Sequence, residues 1–166
     1  MEPTHILNLR INAGKCTACK ACEMACSFTK EGAFVPSRSR IRVMQLHNMG
    51  MNVPIVCVNC ADAPCIEACP TGAVFRDASV PVVRINREDC IGCGDCVAAC
   101  PFGAVDMNEE DGVAMMCDLC DGEPVCVDHC IYGALGFDRT MTTAQLKRLA
   151  HAHVVADQYR GEGGGR

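Results

Sequence analysis

Apolar and polar residues alternate in four short runs along this chain: Ile6 to Ile11, Ile41 to Val43, Val82 to Ile85 and Val113 to Met115. Alternation with period two predicts half-buried strands, and none of these is long. A second pattern is a recurring phrase: Pro70-Thr71-Gly72-Ala73-Val74, Pro101-Phe102-Gly103-Ala104-Val105 and Ile131-Tyr132-Gly133-Ala134-Leu135. Its Gly-Ala step predicts a tight turn off a short helix and into a strand. Near the C-terminus, Thr142 or Thr143 could cap a helix through Gln145, Leu146, Leu149, Ala150 and Val154 to about Tyr159. Its narrow apolar stripe suits packing on its own domain, and the GEGGGR stretch after it reads as a disordered tail. The predicted class is α+β: short strands and one- or two-turn helices with no large sheet.

Composition explains how so little regular structure could be held together. The 166 residues include no Trp, 2 Tyr and 5 Phe, so aromatic side chains are too scarce to build an ordinary core. The abundant residue is cysteine, 16 in all. A net charge of −5 and a pI near 5.5 argue against a nucleic-acid binder, and no stretch reaches the roughly 18–20 apolar residues of a membrane span. The opening MEPTHILNLRIN has no basic segment leading into an apolar run and no twin arginine. The expected location is the cytoplasm, where thiols stay reduced. Reduced cysteines at this density point to metal.

The cysteines form four groups of four: Cys16, Cys19, Cys22 and Cys26; Cys57, Cys60, Cys65 and Cys69; Cys90, Cys93, Cys96 and Cys100; Cys117, Cys120, Cys126 and Cys130. In each, two cysteines stand three apart, a third lies nearby, and the fourth follows four residues later. Three on a tight loop can reach separate corners of one iron–sulfur cubane. The fourth, about one helical turn away at a rise of roughly 6 Å, faces a second site. Sharing a short helix in this way sets cubane centres on the order of 10 Å apart, a separation suited to electron tunnelling. The third group has the complete two-cluster ferredoxin spacing, ending in Cys100-Pro101. A four-thiolate zinc site also uses cysteine pairs three apart, but three ligands within seven residues and the Cys-Pro endings favour the cubane.

The second and third groups resemble a bacterial two-cluster ferredoxin, and the whole quartet, residues 1–140, is similar to the four-cluster ferredoxin subunits of multi-subunit oxidoreductases. The resemblance implies two ferredoxin-like halves: an outer one from 1–50 with 113–140 and an inner one from 51–112, leaving 141–166 as the C-terminal helix and tail. It implies four 4Fe–4S clusters with nested pairing. By analogy cluster 1 is held by Cys16, Cys19, Cys22 and Cys130, and cluster 2 by Cys117, Cys120, Cys126 and Cys26. Cluster 3 takes Cys57, Cys60, Cys65 and Cys100, and cluster 4 takes Cys90, Cys93, Cys96 and Cys69. Departures concentrate in the outer half: no proline follows Cys26 or Cys130, and five residues separate Cys120 from Cys126. Such subunits serve tungsten and molybdenum enzymes, some hydrogenases, formate dehydrogenases and carbon monoxide dehydrogenase. The CSFTKEGAFVPSRSRIRV stretch looks most like small subunits of tungsten aldehyde oxidoreductases.

The implied role is single-electron relay between a catalytic tungsten or molybdenum pterin subunit and a second redox subunit or soluble carrier, with no catalysis by this chain. No cysteine is left over as a nucleophile and no glycine-rich phosphate loop follows a strand. Clusters with their thiolates carry roughly −2 each, so partners with positive rims are favoured, and exits at both ends would allow copies to stack. His5, His47, His129, His151 and His153 read as solvated or packed. Met49, Met51, Met115 and Met116 read as adaptable packing. Ile66, Ile91, Val97, Val125 and Val127 read as covers over the clusters. Asp118, Asp121, Glu123 and Asp128 near the fourth group, against Lys15 and Lys20 near the first, are candidates for shifting cluster potentials.

Overall fold

The computed structural model describes residues 8–77, 80 and 82–138. The predicted C-terminal helix and tail lie outside the described residues. Eight short strands pair only two by two, all antiparallel. β1 (Asn8–Ile11) pairs with β8 (Leu135–Asp138), closing the two ends of the described chain on each other. β2 (Ile41–Leu46) and β3 (Met51–Val56) form a hairpin. β4 (Val74–Arg76) pairs with β5 (Val83–Ile85), and β6 (Asp106–Met107) with β7 (Ala114–Met115). Three of the alternating runs thus contain β1, β5 and β7, the run from Ile41 to Val43 is the first half of β2, and the recurring Gly-Ala phrase leads into β4, β6 and β8. β3 is the strand marked by neither signal, because Pro54 and flanking apolar residues blur the period.

The helices are α1 (Ala21–Glu31), α2 (Pro64–Glu67), α3 (Asp95–Ala99) and α4 (Val125–Asp128). Three are single turns, as expected, whereas α1 runs for 11 residues. The reason is local. Where the second and third groups place a proline after the last cysteine, the first continues with Ser27-Phe28-Thr29-Lys30, which can stay helical. Gly32 ends the helix at φ +70°, its N–H bonding to the Phe28 carbonyl at 2.8 Å.

The first Cys-x-x-Cys loop of each group turns through the left-handed region at the residue before its second cysteine. Ala18 has φ 57°, Asn59 55°, Gly92 70° and Leu119 55°. Successive amides in such a turn converge on one side of the backbone and form a concave donor surface for anions. Only the third loop uses glycine there. Ala18 and Leu119 hold a conformation that costs an L-residue about 1–2 kcal/mol, so something outside the local backbone must impose it.

The apolar interior falls into two clusters, and cysteines belong to both. The first joins Leu9, Ile41, Val43, Val56, Val82, Leu119 and Leu135 with Cys22, Cys26, Cys117 and Cys126. The second joins Ala63, Val74, Val83, Val105, Ala114 and Met116 with Cys65 and Cys96. Neither includes an aromatic ring among its fully buried members. The exposed Phe28 and Phe34 instead stack on each other at 4.8 Å, away from both.

The turn position tests directly. At Gly92 a Cβ would sit 2.6 Å from the Gly112 carbonyl oxygen. Gly92→Ala is therefore expected to destabilise the protein by about 1–3 kcal/mol, with Ala18→Gly at the equivalent position neutral to stabilising by about 1 kcal/mol. Thermal unfolding of the two variants against the parent checks the opposite signs.

Candidate metal centres

The loop turns and short helices bring thiols together in fours. One cavity of about 320 Å³ is lined by Cys16, Cys19, Cys22 and Cys130. Another, about 300 Å³, is lined by Cys26, Cys117, Cys120 and Cys126. A third, about 330 Å³, is lined by Cys57, Cys60, Cys65 and Cys100. All three, each with three cysteines from one sequence group and one from another, are built by different segments of the chain. In the first two, α1 and α4 pack together and exchange their last cysteines, Cys26 and Cys130. The remaining group is arranged around α3, where Cys96 is buried and feels Cys90 and Cys93. Cys69 lies just past α2, which packs against α3, and both Cys69 and Cys90 touch the second core cluster.

Burial controls the chemistry of these thiols. It pushes Cys22 and Cys57 up to about 11 and Cys126 up to about 12. Fully enclosed Cys117 is driven well above the ordinary value, again chiefly by burial. Neighbouring sulfurs add to each shift: Cys130 and Cys16 at Cys22, Cys26 and Cys120 at Cys126. Thiols that resist ionisation alone and crowd one another need a cation to become thiolates. Donors are already in place for the charged form. The Arg40 N–H reaches Cys26 Sγ at 3.3 Å, Ala104 N–H reaches Cys100 Sγ at 3.4 Å, and Leu119 N–H reaches Cys117 Sγ at 3.4 Å.

A buried orphan points the same way. Asn59, between Cys57 and Cys60, accepts the Val83 N–H through Oδ1 at 2.7 Å, which fixes the orientation of its amide. Its Nδ2 is buried and has no hydrogen-bond partner. A buried donor beside thiolate ligands lacks an acceptor that an anionic sulfur cluster would supply. The thiols also discriminate between metals. Around one zinc ion, four sulfurs at 2.3 Å would stand about 3.8 Å apart. Among the described residues, no three Cys, His, Asp or Glu side chains are close enough to hold a single ion. A cubane, which spreads its four thiolates over separate irons, does not require that closeness.

Other residues sort by burial. Met115 and Met116 are buried, while Met49 and Met51 are exposed near the β2–β3 turn. Ile66 and Val97 pack on the second core cluster and Val127 on the first, whereas Ile91 is 67 % exposed. His129 Nδ1 lies 2.9 Å from the Val125 carbonyl, and His47 is exposed. His5, His151 and His153 are outside the described residues. Asp118 pairs with Lys30 at 2.7 Å, and Asp121 with Arg84 at 2.5 Å. Sequence reasoning missed Lys30, Arg40 and Glu23. Glu23 is 3 % exposed inside the first cysteine group and accepts the Val43 N–H at 2.7 Å, tying α1 to β2. Its only sequence signal is an acid between two ligand cysteines.

The folded cysteine loops are those of an iron–sulfur protein of the ferredoxin type, and similarity to the subunits below makes the chain an electron-transfer subunit of oxidoreductase complexes and not itself the catalytic one. Its sixteen cysteines, all in Cys-x-x-Cys-containing groups, match four 4Fe–4S clusters. The chain belongs to the 4Fe-4S dicluster domain family, whose profile matches residues 48–140, and a 4Fe-4S binding domain matches residues 13–29. It is similar to the polyferredoxin-like subunit of aliphatic sulfonate oxidoreductase from Pyrococcus furiosus, 46 % identical over 72 % of this chain and 69 % of that protein. It is also similar to the thiosulfate reductase electron transfer subunit PhsB of Salmonella typhi, 32 % identical over 90 % of this chain and 84 % of that one. Among solved structures, the active site complex BamBC of benzoyl coenzyme A reductase with benzoyl-CoA contains a chain matching at TM-score 0.51 and 28 % identity, over 93 % of this chain and 97 % of that one. Among the described residues, no helix is long and apolar enough to cross a membrane.

Glu23 yields a second prediction. Glu23→Ala leaves the buried Val43 N–H without its acceptor and is expected to cost about 1–3 kcal/mol. Glu23→Gln keeps an acceptor oxygen and should cost less. Denaturant unfolding of both variants checks the order, and equal losses would contradict it.

Proposed function

We propose that this chain relays single electrons along four 4Fe–4S clusters in a row, between a catalytic subunit and a second redox subunit or soluble carrier. The observation that carries this reading is the composition of the three cavities, each with four cysteines drawn from two sequence groups. It supports the nested ligand sets: Cys16, Cys19, Cys22 and Cys130; Cys26, Cys117, Cys120 and Cys126; Cys57, Cys60, Cys65 and Cys100; and, by the same logic, Cys69, Cys90, Cys93 and Cys96. Each cluster, when bound, supplies one reversible one-electron step.

The protein's own part is to hold the ligands, exclude water and order the sites. Sulfur neighbours support the order of the row. Cys22 of the first set influences Cys126 of the second, and Cys57 of the third influences Cys117 of the second. The packing of α2 on α3 joins the third set to the fourth. Cys19 and Cys93, in the first and fourth sets, are the two exposed cysteines, so both ends of the row reach the surface. The corresponding division of the chain is an outer half of 1–50 with 113–140 around an inner half of 51–112.

For the catalytic partner we favour a tungsten or molybdenum pterin oxidoreductase of the aldehyde-oxidoreductase kind, working in the cytoplasm. The CSFTKEGAFVPSRSRIRV stretch and the similarity to a sulfonate oxidoreductase subunit support that choice. With an exposed cysteine at each end, copies of the chain could also stack and lengthen the row.

Pairing is tested by single Cys→Ser variants of the native complex, read by EPR of the reduced protein. Cys16→Ser and Cys130→Ser should disturb one common signal, and Cys26→Ser and Cys117→Ser a different common one. If Cys26→Ser disturbs the same signal as Cys16→Ser, the nested arrangement is wrong. The parent should hold about sixteen irons, four for each of four clusters, and its brown colour should bleach on addition of the catalytic partner's substrate.

A further inference from the structure

The three described thiol cavities differ in the charge of their walls. The cavity of Cys57, Cys60, Cys65 and Cys100 has no charged side chain in its lining. That of Cys16, Cys19, Cys22 and Cys130 includes Lys15 and Lys20, but both are exposed, so water and salt screen them. The cavity of Cys26, Cys117, Cys120 and Cys126 includes Lys30, Arg40 and Asp118. Here the cations are sheltered: Lys30 is 19 % exposed and Arg40 11 %. A charge in such a setting acts through a lower effective dielectric and reaches its neighbour with several times the strength it has in water.

Both cations are held firmly. Lys30, on the extra length of α1, places Nζ 2.7 Å from Asp118 Oδ2. Burial alone would lower the Lys30 ammonium, but the Asp118 bond and charge raise it, so it stays a cation. The Arg40 guanidinium donates to Glu31 Oε1 at 2.5 Å and to the Arg38 carbonyl at 2.9 Å, while its backbone N–H donates to Cys26 Sγ at 3.3 Å. Two cations and one carboxylate stand in the lining, while the Glu31 carboxylate that pairs with Arg40 lies outside it, so positive groups face the cavity. Adding an electron makes a cluster one unit more negative without requiring a proton, and adjacent positive charge favours that reduced form.

We propose that Lys30, with Arg40 beside it, is the positioning cation that gives the Cys26–Cys117–Cys120–Cys126 centre the highest reduction potential of the row. An electron delivered by the partner's redox centre comes to rest there. The neighbouring centre of Cys57, Cys60, Cys65 and Cys100, whose lining is apolar and whose nearest cation, Arg76, is spent on the Cys60 and Ala61 carbonyls, is the low-potential step beside it. This inference rests on the four-cluster reading above and goes beyond it by assigning an order to the potentials and a residue to the cause.

The test is an EPR-monitored redox titration of the native complex carrying Lys30→Gln, Lys30→Arg or Asp118→Asn, with iron counted in each. The centre concerned is the one whose signal Cys120→Ser alters, and in the parent it should be the first to be reduced. Lys30→Gln is expected to lower its reduced-to-oxidised ratio at fixed potential about tenfold, 59 mV for a one-electron couple. Lys30→Arg should hold it near the parent value. Asp118→Asn, which keeps an oxygen for the Cys120 N–H bonded at 3.0 Å, should shift the same centre upward. A different centre reduced first, or this midpoint unmoved in Lys30→Gln and Asp118→Asn with iron intact, overturns the proposal and leaves the four-cluster reading standing. Should Lys30→Gln lose iron, Asp118→Asn decides alone, and no upward shift overturns it. Iron well below sixteen in the parent instead overturns the four-cluster reading.

Discussion

Sulfur atoms from distant segments facing one another across a common space are the constraint on which this structure depends. Cys22 and Cys130, or Cys65 and Cys100, stand far apart in sequence and line one wall. Among the described residues, nothing else could bind those segments so firmly. The strands pair only in twos, the buried clusters consist of small aliphatic side chains, and the phenylalanines sit mostly at the surface. The buried thiols crowd each other and resist ionisation. Iron held by both segments would turn that liability into bonds between them, since metal binding and folding then share one free energy.

The same constraint accounts for backbone strain that would otherwise lack a cause. Ala18, Asn59 and Leu119 adopt left-handed φ values that glycine alone takes freely, at the same position of three loops. The turn aims backbone N–H groups at sulfur, as with Leu119 N–H on Cys117 Sγ. Local conformational cost is accepted where ligand geometry over-determines the backbone.

Electrostatics adds a second level of organisation between the segments. Arg42 with Asp106, Arg38 with Glu110 and Arg84 with Asp121 connect parts of the chain 37 to 72 residues apart. These pairs are partly exposed, so each adds little stability; their value lies in fixing how the loops sit. Lys30 with Asp118 is more sheltered and stands in the wall of a thiol cavity. It exists because α1 runs past Cys26, the one place where the first cysteine group departs from the pattern of the second and third.

The sequence by itself determined the cysteine grouping, the cofactor class and the short α+β elements, because ligand spacing and period-two alternation are local properties. It also marked where β4, β6 and β8 begin, through the Gly-Ala phrase. It did not reveal β3, whose Pro54 interrupts the signal, or the full length of α1, since a missing proline permits a longer helix without requiring one. Only the tertiary structure decided which cysteines share a wall, that Glu23 reaches the Val43 amide, and that Lys30 and Arg40 rather than Lys15 and Lys20 are the sheltered cations. Those outcomes depend on burial and on contacts between remote segments, and a charge acquires its strength from the surroundings that folding gives it.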